Sequence, residues 1–252
     1  MIYIEELFYE MIFKRKSFHL FKDIEKISSE ELKDIEEKFK TFKPLVSDIK
    51  TDIRIVPAEE TTCKRGEEYC ILLYSEKKDN YLQNIGYIGE QLDLYLAFLN
   101  IGALWFGIGK VEETKYNDLD FVIMIAIAKV DESMFRKDMF KSKRKSLDEI
   151  WLGNNLLDIA NIVRFTPSAC NTQPWIVESS KDKLDIYRYK KPGKRGIMPA
   201  DKVAYYNRID IGIFLLFLDL CLNHNSIKYE RELFIDLSND DIEKTLIATY
   251  YL

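Results

Sequence analysis

Apolar residues recur every three to four positions in the opening segment, where Ile4, Leu7, Phe8, Met11 and Ile12 share one helical stripe that ends in the basic run Lys14-Arg15-Lys16-Ser17. Ser28 followed by Glu31 is a capping-box sequence, which predicts a second helix with Leu32, Ile35 and Phe39 turned inward until Pro44 ends it. Short strands are expected at 52–56 and 69–74, the second mostly apolar, as in a sheet interior. Over 86–101 the residues Ile88, Leu92, Leu96 and Leu99 keep helical spacing while Leu94, Ala97 and Phe98 make the other side apolar too, which predicts a central helix buried on most faces. The run FVIMIAIA at 121–128, bounded by charged residues, predicts a fully buried strand.

The pattern then repeats. A basic stretch, Lys141-Ser142-Lys143-Arg144-Lys145, precedes a second capping box at Ser146 and Glu149, which predicts a helix running through Leu156, Ile159, Ala160 and Val163 until Pro167. Strands near 175–177 and 184–189, a polar loop at 190–201, an apolar helix at 209–222 and a last strand near 229–235 follow. Helices 89–102 and 212–225 each start at a glycine after an isoleucine and end at Gly or Asn, which suggests an internal duplication. The apolar run 211–222 is shorter than the ~20 residues that span a bilayer, so it reads as a buried helix.

Composition narrows the function classes. With 252 residues, 47% hydrophobic, and with 15 Phe and 15 Tyr, the chain can bury a large core. A net charge of -5 argues against nucleic acid as a partner. The start, Met1-Ile2-Tyr3-Ile4-Glu5-Glu6, carries early carboxylates rather than a basic stretch before an apolar run, so a cytoplasmic protein without membrane attachment is expected. Cys63, Cys70, Cys170 and Cys221 form no CxxC pair and no zinc-ligand spacing, so four free thiols are expected. Only His19 and His224 are present, which leaves little for histidine-base or multi-histidine metal chemistry.

Four segments carry chemistry. In Thr166-Pro167-Ser168-Ala169-Cys170-Asn171-Thr172-Gln173-Pro174-Trp175, two prolines fix a loop, Ser168 and Asn171 offer hydrogen bonds to a polar ligand edge, and Trp175 anchors the next strand. Arg15-Lys16-Ser17-Phe18-His19-Leu20-Phe21 offers a planar guanidinium fork, an ammonium and a hydroxyl, a donor set suited to phosphate. Leu99-Asn100-Ile101-Gly102-Ala103-Leu104-Trp105-Phe106-Gly107 closes the central helix, and Lys143-Arg144-Lys145-Ser146-Leu147-Asp148-Glu149-Ile150 precedes the second half.

The first of these resembles the PSAxNxQPW signature of the nitroreductase superfamily, the second its RRSxRxF element with His19 where the family usually has Arg or Lys, the third its LGLGTCWMG-like stretch, and the fourth its KRKPLEEI tail. The resemblance implies an α+β, nitroreductase-like fold with antiparallel-rich sheets flanked by helices, in two tandem halves, 1–146 and 147–252, fused as an intramolecular pseudo-dimer. It implies FMN held by Arg15, Lys16, Ser17, His19, Trp105, Phe106, Gly107, Lys143, Arg144, Pro167, Ser168, Ala169 and Asn171, with no catalytic side chain because the flavin carries the chemistry. One complete site is expected, since the segment between Phe39 and Asp52 has no PSAxN loop. The resemblance further implies NAD(P)H as a transient donor, a nitroaromatic, quinone or similar flat acceptor, and a monomer. Lacking a GxGxxG fingerprint, the chain would bind nicotinamide only transiently, with the 190–201 loop over it. A flavin-binding or sensing protein without turnover, and a family member that has lost its flavin, are the alternatives.

Overall fold

The computed structural model describes residues 4–189, 196–237 and 244–252. The chain divides into two compact units, one formed by Glu10–Met139 and the other by Met1–Tyr9 with Phe140–Leu252. The first helix therefore contributes to both, and the basic tail at 143–145 belongs with the C-terminal unit.

Helix α1 (Ile4–Lys14) buries Phe8 and Ile12 from the expected stripe. In the first unit α2 (Ser29–Phe39) opens on the capping box read from the sequence: Glu31 N–H donates to Ser28 Oγ at 3.2 Å, and Ser28 N–H donates to Glu31 Oε2 at 2.8 Å. β1 (Thr51–Pro57), β2 (Tyr69–Ser75), α3 (Tyr81–Phe98), β3 (Ile101–Phe106), β4 (Lys115–Tyr116) and β5 (Leu119–Lys129) follow. The sheet runs β1-β2-β5-β3, antiparallel throughout, with β4 also on β5. Helix α3 is buried from Leu82 to Ala97, and two of its polar residues, Asn84 and Gln91, bind loop backbone. Gln91 receives the Lys43 amide at 3.2 Å and donates to its carbonyl at 2.8 Å, while Asn84 Oδ1 accepts from Val46 N–H at 3.0 Å.

In the second unit the predicted helix after Ser146 is interrupted. Only α4 (Leu147–Ile150) follows the capping box, then β6 (Trp151–Leu152), then α5 (Leu157–Val163). Gly153 lies at φ +111 with its would-be Cβ 2.0 Å from the Ser179 carbonyl oxygen, and Leu156 lies at φ 56, so the backbone turns twice where a continuous helix was expected. β7 (Trp175–Ser179), β8 (Lys183–Tyr189), α6 (Val203–His224), β9 (Glu230–Leu233) and β10 (Lys244–Tyr251) complete the chain. The sheet runs β7-β8-β10-β9, antiparallel, with β6 parallel to β7 at the edge.

In both units, then, a helix leads into two antiparallel strands, a long buried helix follows, and the last long strand inserts beside the second. The segment from the end of the leading helix to its first strand is equally long in each, Phe39 to Thr51 and Val163 to Trp175. Four strands, the two-residue β4 and β6 and the longer β3 and β10, were not anticipated. β3 occupies the stretch read as the end of the central helix, which stops at Phe98 because Asn100 turns to φ 58. Of the expected 190–201 loop, residues 190–195 lie outside the described residues. No helix among the described residues is long and apolar enough to cross a membrane. Cys63, Cys70 and Cys221 are buried and Cys170 is exposed, all four as free thiols.

Candidate functional site

The loop after α5 holds a conformation that an ordinary connection would avoid. Cys170, Asn171 and Gln173 all sit in the left-handed region, at φ 50, 55 and 49. Such positions cost roughly 1–3 kcal/mol each unless their surroundings enforce them. Here the surroundings do. Ser168 Oγ accepts the Gln173 amide at 2.9 Å, and its carbonyl accepts the Asn171 amide at 3.0 Å. Ala169 N–H donates to Asp210 Oδ1 of α6 at 2.9 Å. Beyond the loop Trp175 is fully buried and stacked on Phe214, with ring centroids 4.9 Å apart.

The basic tail completes the buttress. Lys145 N–H donates to the Gln173 side-chain oxygen at 2.9 Å, and its ammonium reaches the Gln173 carbonyl at 2.8 Å. Arg144 donates to Asn171 Oδ1 and to the Phe165 carbonyl, both at 3.1 Å, while Asn171 Nδ2 donates to the Lys143 carbonyl at 3.2 Å. Two motifs more than twenty residues apart thus form one cluster: Lys143 and Asn171 are exposed, and Arg144, Pro167, Ser168 and Ala169 are half-buried beside them. Beneath it, Asp210 is pushed up to about 8 by burial, with the Ala169 amide pulling the other way.

A second cluster forms in the first unit. Ser17 bridges Ala103 of β3 in parallel register, Phe18 N–H donates to the Ala103 carbonyl at 3.0 Å, and the Phe18 ring covers Gly102, where a Cβ would lie 3.0 Å from it. The Arg15–His19 segment and the Gly102–Gly107 stretch therefore run side by side. His19 is exposed, Ser17, Phe106 and Gly107 are half-buried, and Lys16 donates to the Met134 carbonyl at 2.9 Å.

Arg15 is placed differently from the sequence expectation. Its side chain is 2% exposed and donates from Nε and Nη2 to Asp93 Oδ2 at 2.9 and 2.6 Å, with Glu90 3.3 Å away. The Trp105 indole N–H points to the same carboxylates, at 3.1 Å from Asp93 and 3.2 Å from Glu90, and its ring passes so close to Gly89 that a Cβ there would meet it at 2.6 Å. The guanidinium fork and indole assigned to FMN are instead taken up inside the unit, because two carboxylates on an otherwise buried helix need a countercharge. Burial raises Glu90 well above the usual carboxylate range, with Arg15 opposing it. Arg136, also buried near Arg15, is pushed down to about 10. The sequence does signal these carboxylates, as Glu90, Asp93 and Asp210 interrupt apolar helical runs.

A family profile described as "Putative TM nitroreductase" matches residues 7–221. The chain belongs to this nitroreductase family. Among solved structures, this nitroreductase is similar to a "putative nitroreductase" of Thermotoga maritima, with a TM-score of 0.60 and 18% identity over 96% of this chain and 91% of that one, which shows a shared fold. It is also similar to a "putative nitroreductase in complex with FMN" from Desulfovibrio desulfuricans, at 18% identity and a TM-score of 0.44, over 59% of this chain and 97% of that one. A search of curated proteins finds no match.

Proposed function

We propose that this chain binds one FMN and acts as an NAD(P)H-dependent oxidoreductase on a nitroaromatic, quinone or similar flat acceptor. The observation that carries this reading is the strained Ser168–Gln173 loop locked to the Lys143–Lys145 tail. Strain maintained by so many partners is the pattern of a pre-organised ligand site. The donor set fits an anionic, polar cofactor: an exposed ammonium at Lys143, the Arg144 guanidinium, the Asn171 amide and the Ser168 hydroxyl lie together.

In the first unit, Lys16, Ser17 and His19, with the backbone of Phe106 and Gly107, offer donors of the kind that such a cofactor needs. Arg15 and the Trp105 side chain do not, since withdrawing either from Asp93 would leave a buried charge short of a partner. When bound, FMN supplies the hydride chemistry. The chain's own residues then only grip phosphate, orient the ring and admit flat substrates, so no side-chain base is needed. The matching strand orders of the two units support an internal duplication, though the compact units divide at Met139/Phe140 and not at 146/147; that the chain works as a monomer is part of the proposal.

The test is an absorption spectrum of the purified protein before and after adding FMN, followed by NADH and then NADPH under nitrogen. A bound flavin spectrum that bleaches with either nicotinamide supports the proposal, and absence of flavin at saturating FMN sinks it. Arg144→Ala should weaken FMN binding by roughly 1.5–3 kcal/mol, the worth of a charge-assisted contact. Unchanged affinity in that variant would remove Arg144 from the site. The enclosure of Arg15 favours a second reading, a family member that keeps the fold without flavin, and the same spectrum decides between the two.

A further inference from the structure

Cys63, Glu67 and Cys70 come together in the first unit, although no zinc-type spacing marks them in the sequence. Cys63 and Glu67 lie in the loop before β2, and Cys70 is the second residue of β2. A sulfur from each cysteine and a carboxylate oxygen of Glu67 all lie within 4.8 Å of one another, and all three residues are buried. Tetrahedral zinc with sulfur at about 2.3 Å sets neighbouring sulfurs about 3.8 Å apart, so the trio closes on an ion with shifts on the order of an ångström.

Three further observations point the same way. Glu67 is 8% exposed; its Oε2 accepts the Arg65 amide at 2.6 Å, but its Oε1 finds no hydrogen-bond partner among the described residues. Cys63 and Cys70 belong to an apolar cluster with Phe18, Val56 and Leu72, and the Cys63 thiol, a weak donor, is the side chain that faces the Glu67 carboxylate, so a cation shared by the three would compensate that carboxylate better. Next, Thr61 Oγ1 lies 3.5 Å from Cys70 Sγ and accepts the Cys63 amide at 3.1 Å, which fixes the loop around the sulfurs. Finally, a cavity of about 370 Å³ opens nearby, with Val56, the β1 partner of Cys70, and Val111, the bridge partner of Thr61, in its wall. Its other walls carry Arg54, paired with Glu113, beside Glu59, Glu60 and Glu112, so the lining is acidic on balance.

We propose that Cys63, Glu67 and Cys70 form a binding site for one divalent cation of the zinc class, with water as the remaining ligand. Both thiols give up their protons to solvent as the two sulfur–metal bonds form, so each ion bound releases two protons. Two thiolates, one carboxylate and a dication carry a net single negative charge, which Lys64 and Arg65 beside the site offset.

The experiment titrates Zn2+ into the reduced, metal-free full-length chain, reading stoichiometry by native mass spectrometry and proton release with a pH indicator, and then repeats it with Co2+. The expected result is one ion per chain, two protons released, and thiolate-to-cobalt charge-transfer absorption. Cys63→Ser should weaken binding about 100-fold, while Glu67→Gln, which keeps the shape if the serine variant fails to fold, should weaken it about 10-fold. Cys170→Ser, at the exposed thiol of the second unit, should leave metal uptake unchanged. Absence of uptake, uptake unchanged by both Cys63→Ser and Glu67→Gln, loss of uptake in Cys170→Ser, or a Cys63–Cys70 disulfide in the protein as isolated each overturns the proposal. None of these readouts involves flavin, so the result stands apart from the redox reading.

Discussion

Arg15→Ala is expected to destabilise the protein by about 3–5 kcal/mol, the usual consequence of removing one partner of a buried ion pair. The reason is local. Arg15 is 2% exposed, and its fork is the countercharge for Asp93 and Glu90, which have no access to water. Cutting it back leaves two carboxylates and the Trp105 indole in a cluster with no cation in direct contact, and Arg136, itself held down by burial, is the nearest replacement. The deficit should shrink as pH falls. Burial already raises Glu90 in the intact protein with Arg15 opposing it, so without Arg15 the native state would hold a proton on Glu90 that the unfolded chain releases. Urea unfolding of both proteins at pH 5 and pH 8 reads both effects. A loss below about 1 kcal/mol, the range of a surface substitution, would mean that Arg15 is not the keystone of the cluster. A phosphate-gripping arginine would behave in the opposite way, with little effect on the empty protein and a large one on FMN affinity.

The second large effect concerns Asp210. Its native carboxyl keeps its proton up to about pH 8, whereas in the unfolded chain an Asp gives it up near 3.9. Between those values the native state binds more protons than the unfolded one, so Asp210 makes stability fall as pH rises through the window. The full decline is on the order of 5 kcal/mol at about 1.4 kcal/mol per pKa unit. Asp210→Asn keeps an oxygen for the Ala169 amide and never ionises, so it should remove that slope and be the more stable protein near pH 8. Measuring unfolding free energy from pH 5 to pH 8 for both chains isolates the contribution by difference. Parallel curves would show that Asp210 ionises without cost, contrary to its burial. The bond that Asp210 accepts from the Ala169 amide strengthens on ionisation, so the loss of stability comes from the desolvated charge and not from loss of that contact.

Elements with strong periodicity or explicit punctuation were legible in advance. The α1 stripe, both capping boxes, the central helix and the buried β5 strand follow from residue spacing that any environment would respect, because an apolar face must be covered and a helix N-terminus needs acceptors. The break between α4 and α5 was not, because it depends on Gly153 passing close against the Ser179 carbonyl, a partner more than twenty residues away. β10 escaped for a similar reason: it is a strand because β8 and β9 lie on either side of it.

The same division runs through the chemistry. By itself the sequence determined that residues 167–175 and 143–145 carry family motifs, that histidine catalysis has almost no material, and that the core is large. These follow from residue identity and short-range order. Only the tertiary structure decided which polar groups are already occupied. It took Arg15 and Trp105 into an ion cluster, put Asp210 under the loop that its helix supports, and gathered Cys63, Glu67 and Cys70 around one point. A motif names a donor, but burial and the nearest countercharge determine what that donor binds. Both depend on residues distant in the chain meeting in space, which local pattern does not encode.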